Sequence, residues 1–180
     1  MKDTIFLIVG ESGSGKTTIV SSLEKKYNLT SVPSYTTRPP RSKNEYGHIF
    51  VTQEEFDSLQ NLVGYTKYNG YEYCATSEQV EEHDLYVIDV KGVEFFKANY
   101  RGKKQVKVIY IKSSISTRIE RMEQRGDDFP SIMERIINDV IDFRNASLYA
   151  DFIVENNKDA NLKNVIFQVW EYIREQRKEE

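Results

Sequence analysis

The 180-residue sequence predicts an α/β fold, a mostly parallel sheet flanked by helices, with a small β-rich insertion and a lid loop. Three observations predict it. Four short apolar runs read as buried strands, and each is followed by a stretch of helical character. A glycine-rich loop joins the first run to the first helix. The segment from Ser31 to Val80 breaks this alternation with turn-forming and aromatic-rich sequence.

In chain order, the first strand is Ile5–Val9 and the first helix Lys16–Lys26. The later strands are Leu85–Val90, Val106–Ile111 and Phe152–Val154. Helices are expected at Val93–Tyr100, Ile115–Gln124 and Leu162–Lys178, with another over about Ile132–Ser147 ahead of the last strand. Strands alternating with helices imply right-handed crossovers, and therefore a covered, mostly parallel sheet built from residues 1–30 and 84–180. The insertion covers about residues 31–83. Within it, Thr52-Gln53-Glu54-Glu55 matches a helix capping box, and Asn69-Gly70 is a good hairpin turn between aromatic-rich stretches. At Arg125–Ser131, Gly126 and Pro130 are expected to interrupt two helices, and an arginine-rich loop with a glycine hinge suits a lid.

Composition narrows the function classes. One domain of this length can fill a core, and 39% hydrophobic with 29% charged residues fits a soluble globular protein. A net charge of −3 and a pI near 5.6 argue against a dedicated nucleic-acid binder. The single cysteine, Cys74, excludes an intramolecular disulfide, and with only His48 and His83 it makes a poor structural zinc set. Ile5–Val9 is too short to span a bilayer and runs into glycines rather than a cleavage site. A cytoplasmic protein without a membrane partner, monomeric or homodimeric, is expected.

Gly10-Glu11-Ser12-Gly13-Ser14-Gly15-Lys16-Thr17 fits G-x-x-x-x-G-K-[ST] without a mismatch. Glycines let backbone N–H groups turn inward around phosphate oxygens, and the helix starting near Lys16 adds its positive end. Lys16 would reach the β- and γ-phosphates of ATP, and the Thr17 hydroxyl is the expected Mg²⁺ ligand, with Thr18 beside it in the nucleotide site. Such a pattern arises by chance about once in a hundred chains. Here it also lies between an apolar strand and a helix, where it must lie to work.

Ser34-Tyr35-Thr36-Thr37-Arg38-Pro39-Pro40-Arg41 sets two arginines in a proline-stiffened loop beside hydroxyls. Guanidinium forks bind phosphate bidentately, so Arg38 and Arg41 point to a phosphorylated acceptor rather than to solvated surface charge. Asp89 ends a strand on the phosphate-loop side. It suits a carboxylate that organises Mg²⁺ or the acceptor, and it could equally cap the helix beginning near Lys91.

With these segments the sequence resembles the guanylate kinase family nearly end to end. Ser34 to Arg41 carries the family's S-x-T-T-R-x-P-R signature. Gly70-Tyr71-Glu72-Tyr73, followed by Thr76, looks like its G-N-Y-Y turn, and Val87-Ile88-Asp89-Val90-Lys91-Gly92 like its D-I-D-x-Q-G strand end. Arg121-Met122-Glu123-Gln124-Arg125-Gly126 with Arg135 is similar to its lid, and Asp151 to Asn156 to its D-Y-V-I-V-N strand. The resemblance implies a nucleoside monophosphate kinase that uses ATP and Mg²⁺ on GMP or dGMP. It implies that Arg38, Arg41, Ser34 and Tyr73 hold the acceptor phosphate, with Thr76 and Asp89 on the same side. Arg121, Arg125 and Arg135 would close over the ATP phosphates, and Asn156 would lie near the adenine.

Three positions depart from the family pattern. The acid that reads guanine falls at Gly64, the first aspartate of D-I-D at Val87, and the tyrosine of Y-x-F at His48. Glu72 is the nearby acid that could supply part of what Gly64 removes, and acids placed at 64 and 87 would widen guanine preference if the backbone at 64 tolerates a side chain. A kinase for another nucleotide, a kinase for a sugar phosphate such as ribose 1,5-bisphosphate, and a non-catalytic phosphopeptide-binding module stay open as alternatives. The intact phosphate loop places the module last.

Overall fold

The parallel sheet forms from the apolar runs. In the computed structural model, which describes residues 3–40, 43, 45–68 and 70–178, β1 (Thr4–Val9) lies between β6 (Leu85–Val87) and β7 (Gln105–Lys112). Beyond β7 lies β8 (Phe152–Glu155), and all three pairings are parallel. Residues on β1 alternate between two cores. Ile5, Leu7 and Val9 pack with Tyr86, Phe96, Val108 and Tyr110, whereas Phe6 and Ile8 pack with Ile19, Leu23, Ile109 and Val169. Both faces are covered, which is why β1 is a continuous apolar run rather than an alternating one. Helices α1 (Lys16–Tyr27) and α8 (Leu162–Lys178) cover one face, where the rings of Tyr27 and Trp170 stack at 4.3 Å. The other face carries α4 (Val90–Asn99). Among the described residues no helix is long and apolar enough to cross a membrane.

The insertion is a second four-stranded sheet in the order β3 (His48–Phe50), β2 (Ser34–Thr36), β5 (Tyr71–Thr76), β4 (Leu62–Tyr68). The expected capping box opens α2 (Gln53–Asp57), with Glu55 N–H donating to Thr52 Oγ1 and Glu55 accepting from Thr52 N–H. A second box, Thr76 with Gln79, opens α3 (Ser77–Glu82). Strands β4 and β5 form the hairpin expected around residue 70, with Gly70 at φ 80° and Tyr68 opposite Tyr71, although Asn69 lies outside the described residues. Their register shifts between Val63 and Thr66, at a bulge that includes Gly64 with φ 64°. Ser31 bridges to Leu85 in parallel, so the insertion starts from the edge of the core sheet.

Two expected boundaries are corrected. The strand expected to reach Val90 ends at Val87, because Asp89 takes the N-cap of α4 and accepts from Gly92 N–H at 2.6 Å. The helix expected from Ile132 begins earlier, as α6 (Phe129–Asp142). Asp128 caps it, and Pro130 sits in the first turn, where its missing N–H costs nothing. Pro130 therefore opens a helix instead of interrupting one. The connection from α5 (Ile115–Gln124) to α6 shrinks to Arg125–Asp128, and α6 ends at Asp142, a turn over 143–145 separating it from α7 (Ala146–Tyr149).

Candidate active site

The loop after β1 is shaped by contacts that only glycine permits. A Cβ at Gly10 would lie 2.5 Å from the Ile111 carbonyl oxygen, and one at Gly13 would lie 2.8 Å from that of Arg118. At Gly15 it would meet Asn156 Nδ2 at 2.5 Å, and φ there is 95°. Gly15 caps α1 without any side-chain hydrogen bond, which leaves the first amides of the helix for an anion. Lys16 Nζ donates to the Glu11 carbonyl at 2.9 Å and to that of Gly10. Burial lowers its pKa to about 8, against the opposing pull of Asp139 and Glu11, so anionic phosphate would restore its charge.

Beneath the loop lies a buried polar network that sequence reasoning missed. Arg118 is 2% and Asp139 5% exposed, and their side chains form an ion pair. Each also holds Ser12: Arg118 Nε donates to its carbonyl at 2.9 Å, and Asp139 Oδ2 accepts from its N–H at 2.9 Å. Glu11 accepts from the Tyr110 hydroxyl at 2.7 Å. Burial, together with that bond, pushes the Tyr110 phenol upward. Asn156 belongs to the same scaffold. Its amide, 2% exposed, donates to the Ser14 carbonyl at 2.8 Å, which commits that group to the loop backbone. A signal was available: Arg118 and Arg121 share one face of α5, and Arg125 follows at its C-cap with the same helical spacing.

Two cavities flank Lys16. The first, about 610 Å³, is lined by Ser12, Gly13, Gly15, Lys16, Thr17, Thr18, Arg121, Arg125, Arg135, Asn156 and Leu162. It gathers the expected lid arginines beside the loop. Arg121 Nη1 donates to the carbonyls of Gly13 and Ser14 at 3.3 Å, while Arg125 pairs with Asp127 in the connection. The Thr17 hydroxyl stands at the start of α1 on this cavity. Among the described residues no group of three or more His, Cys, Asp or Glu could hold a metal ion. A Mg²⁺ at Thr17 would therefore take its remaining oxygens from phosphates and water, which is how that ion is usually held.

The second cavity, about 210 Å³, runs from Gly10, Ser12 and Lys16 into the insertion, past Ser34, His48 and Tyr73 to Gly64, Thr66, Tyr86, Val87 and Asp89. Ser34 Oγ and His48 Nδ1 share a hydrogen bond of 2.8 Å, because β2 and β3 pair Ser34 with His48 directly. Arg38 is 7% exposed, lies 5.4 Å from the Phe50 ring centroid and is held by Glu45 at 2.6 and 3.2 Å. Arg41 lies outside the described residues. Asp89 accepts from the Thr66 hydroxyl at 2.8 Å, and burial pushes its carboxyl above the ordinary range. Thr76 is at the cap of α3 and does not line the cavity. Glu72 is turned away from it, onto the Tyr65 hydroxyl at 2.6 Å and the Gln53 amide at 2.7 Å. It therefore does not stand in for an acid at 64. Nor does the backbone tolerate one there: φ is 64° and a Cβ would lie 2.6 Å from Tyr86 Cε1.

With a cavity on each side of Lys16, the site can hold a phosphorylated donor and a phosphorylated acceptor at once, and this defines a P-loop kinase. A model of the guanylate kinase family matches residues 2–176. The chain is 32% identical over 170 residues to the guanylate kinase of Neisseria gonorrhoeae, covering 87% of this chain and 81% of the relative. It is 26% identical to that of a Polaromonas species over 84% of this chain and 79% of the relative. The crystal structure of guanylate kinase from Anaplasma phagocytophilum superposes with a TM-score of 0.75 over 99% of this chain and 88% of that one, at 19% identity. The chain belongs to the guanylate kinase family and is a nucleoside monophosphate kinase.

Proposed function

We propose that the chain transfers the γ-phosphoryl group of ATP to GMP or dGMP in the cytoplasm, with Mg²⁺ held at Thr17. The observation that carries the reading is that Lys16 and Ser12 line both cavities, so one ammonium stands between donor and acceptor. An oxygen of the acceptor's phosphate attacks the γ-phosphorus, the bond from that phosphorus to the β,γ-bridging oxygen breaks, and ADP leaves. Little covalent work falls to the protein. Positioning and charge neutralisation carry the rate.

On the donor side the loop amides from Gly10 to Thr18 hold the β- and γ-phosphates. Arg121, Arg125 and Arg135 converge on the charge that develops there. Across Lys16, Ser34, Tyr73 and the His48 ring line the acceptor cavity, and Arg38 and Arg41 take the acceptor phosphate by their place in the signature. The 31–83 insertion is the acceptor-binding unit, and the short Arg125–Asp128 connection is the moving part of the lid.

The test is a coupled assay over GMP, dGMP, AMP, CMP, UMP and ribose 1,5-bisphosphate, run on the wild type and Lys16→Ala. GMP and dGMP should be turned over fastest, and Lys16→Ala should lower kcat by at least roughly 100-fold with the fold intact. Turnover of the sugar bisphosphate alone, or wild-type kcat in Lys16→Ala, would refute the proposal.

A further inference from the structure

The bulge at Gly64 and the tyrosine facing it form one unit. A Cβ at Gly64 would lie 2.6 Å from Tyr86 Cε1 and 2.9 Å from the Tyr86 hydroxyl oxygen, so the phenol fills the space a side chain at 64 would need. Tyr86 is 2% exposed, its ring packs on Phe96 with centroids 6.3 Å apart, and it lines the 210 Å³ cavity. Its hydroxyl makes no hydrogen bond to any described residue. The oxygen is not fully buried and opens on the cavity, where a ligand can supply its partner.

The surrounding carboxylates each already hold a partner. Asp89 accepts from Thr66 and from Gly92 N–H, Asp139 is tied to Arg118 and Ser12, and Asp142 pairs with Lys91 at 2.7 Å. Val87 contributes no polar atom. Thr66 spends its proton on Asp89, so its oxygen is left as an acceptor. Of the hydroxyls at this end, that of Tyr86 can both donate and accept, that of Thr66 can accept, and that of Tyr68 lines the same cavity.

We infer that the Tyr86 hydroxyl is the specificity-determining contact to the acceptor's base, standing where a side chain at position 64 would otherwise reach. The inference rests on the nucleoside monophosphate reading above. A hydroxyl can accept from a ring N–H or an exocyclic amine and can donate to a carbonyl. It therefore suits a purine that carries both kinds of group on one edge. A neutral bond of this kind discriminates less sharply than a charge-assisted one.

The test compares kcat/KM for GMP, IMP, AMP and the base-free acceptor ribose 5-phosphate in the wild type and Tyr86→Phe. The variant removes one atom that has no partner in the protein, so the thermal midpoint should hold or rise. Expected is a drop on the order of ten-fold for GMP, a contracted GMP-to-AMP ratio, and unchanged ATP affinity and unchanged turnover, however slow, of ribose 5-phosphate. An unchanged GMP-to-AMP ratio with active wild-type enzyme would overturn the inference alone. Equal losses on every acceptor would also overturn it, marking a packing role. A wild type inactive on every nucleoside monophosphate would overturn the functional reading, and this inference with it.

Discussion

Asp139→Ala tests whether the buried pair under the phosphate loop holds that loop in shape. The substitution leaves the Arg118 guanidinium, 2% exposed, with the Ser12 carbonyl at 2.9 Å and Glu11 at 4.0 Å. It also strips Ser12 N–H of its acceptor. Breaking a buried ion pair from one side costs about 3–5 kcal/mol, because the remaining charge is uncompensated. That is a large share of the 5–15 kcal/mol typical of a domain. At about 2–4 °C per kcal/mol for a chain of this size, the thermal midpoint should fall by roughly 6–20 °C. Arg118→Leu should cost a similar amount. The double variant Arg118→Leu/Asp139→Leu should recover much of it, since an apolar pair of similar volume is often neutral. Urea unfolding of the wild type, Arg118→Leu, Asp139→Leu and the double variant closes the cycle. Single losses below about 1 kcal/mol, or losses that simply add in the double variant, would refute the argument that the two charges stabilise the loop through each other.

The arginines should separate kinetically: Arg38→Ala should mainly raise the acceptor KM, by on the order of ten-fold or more, whereas Arg125→Ala or Arg135→Ala should mainly lower kcat. Identical profiles in steady-state kinetics would mean that the two groups of arginines do not divide the work. Gly64→Glu should not sharpen guanine preference, because its Cβ would collide with Tyr86 and Ile88 at a positive φ; a loss of several kcal/mol in urea unfolding is expected, and a stable variant with improved discrimination would contradict that steric reading. Burial pushes the Cys74 thiol up to about 12, so at pH 8 only about one molecule in ten thousand carries the thiolate. Iodoacetamide should label it only as fast as the protein unfolds, and rapid native-state labelling followed by mass spectrometry would show the site to be open.

Much of this was legible in the sequence because burial on both sides of a sheet writes itself as an unbroken apolar run, as at Ile5–Val9. The phosphate loop was legible because its glycines have no substitute. Boundaries failed where one residue serves two masters. Asp89 follows apolar residues that suit a strand, yet its carboxylate caps a helix. Pro130 reads as a breaker, but it is favourable one residue into a helix. Arg118 and Asp139 were hidden because charges on helices read as solvent-facing, and nothing in one chain shows that two of them, 21 residues apart, meet in the interior. Tyr86 was hidden more deeply. Between Leu85 and Val87 it reads as core, and only the positive φ at Gly64 shows that its hydroxyl and not a side chain at 64 faces the cavity.

The three loop glycines touch three different partners: the end of β7 at Ile111, the first turn of α5 at Arg118, and Asn156 just beyond β8. Each contact is made by the protein to itself, before any phosphate arrives. The glycine pattern is therefore a record of the loop's neighbours as well as of its ligand. Moved to another strand–helix junction, residues 10–17 would carry their amides and lysine along but leave behind the walls that bend them. An engineer transplanting the motif would have to bring pieces of three distant segments with it.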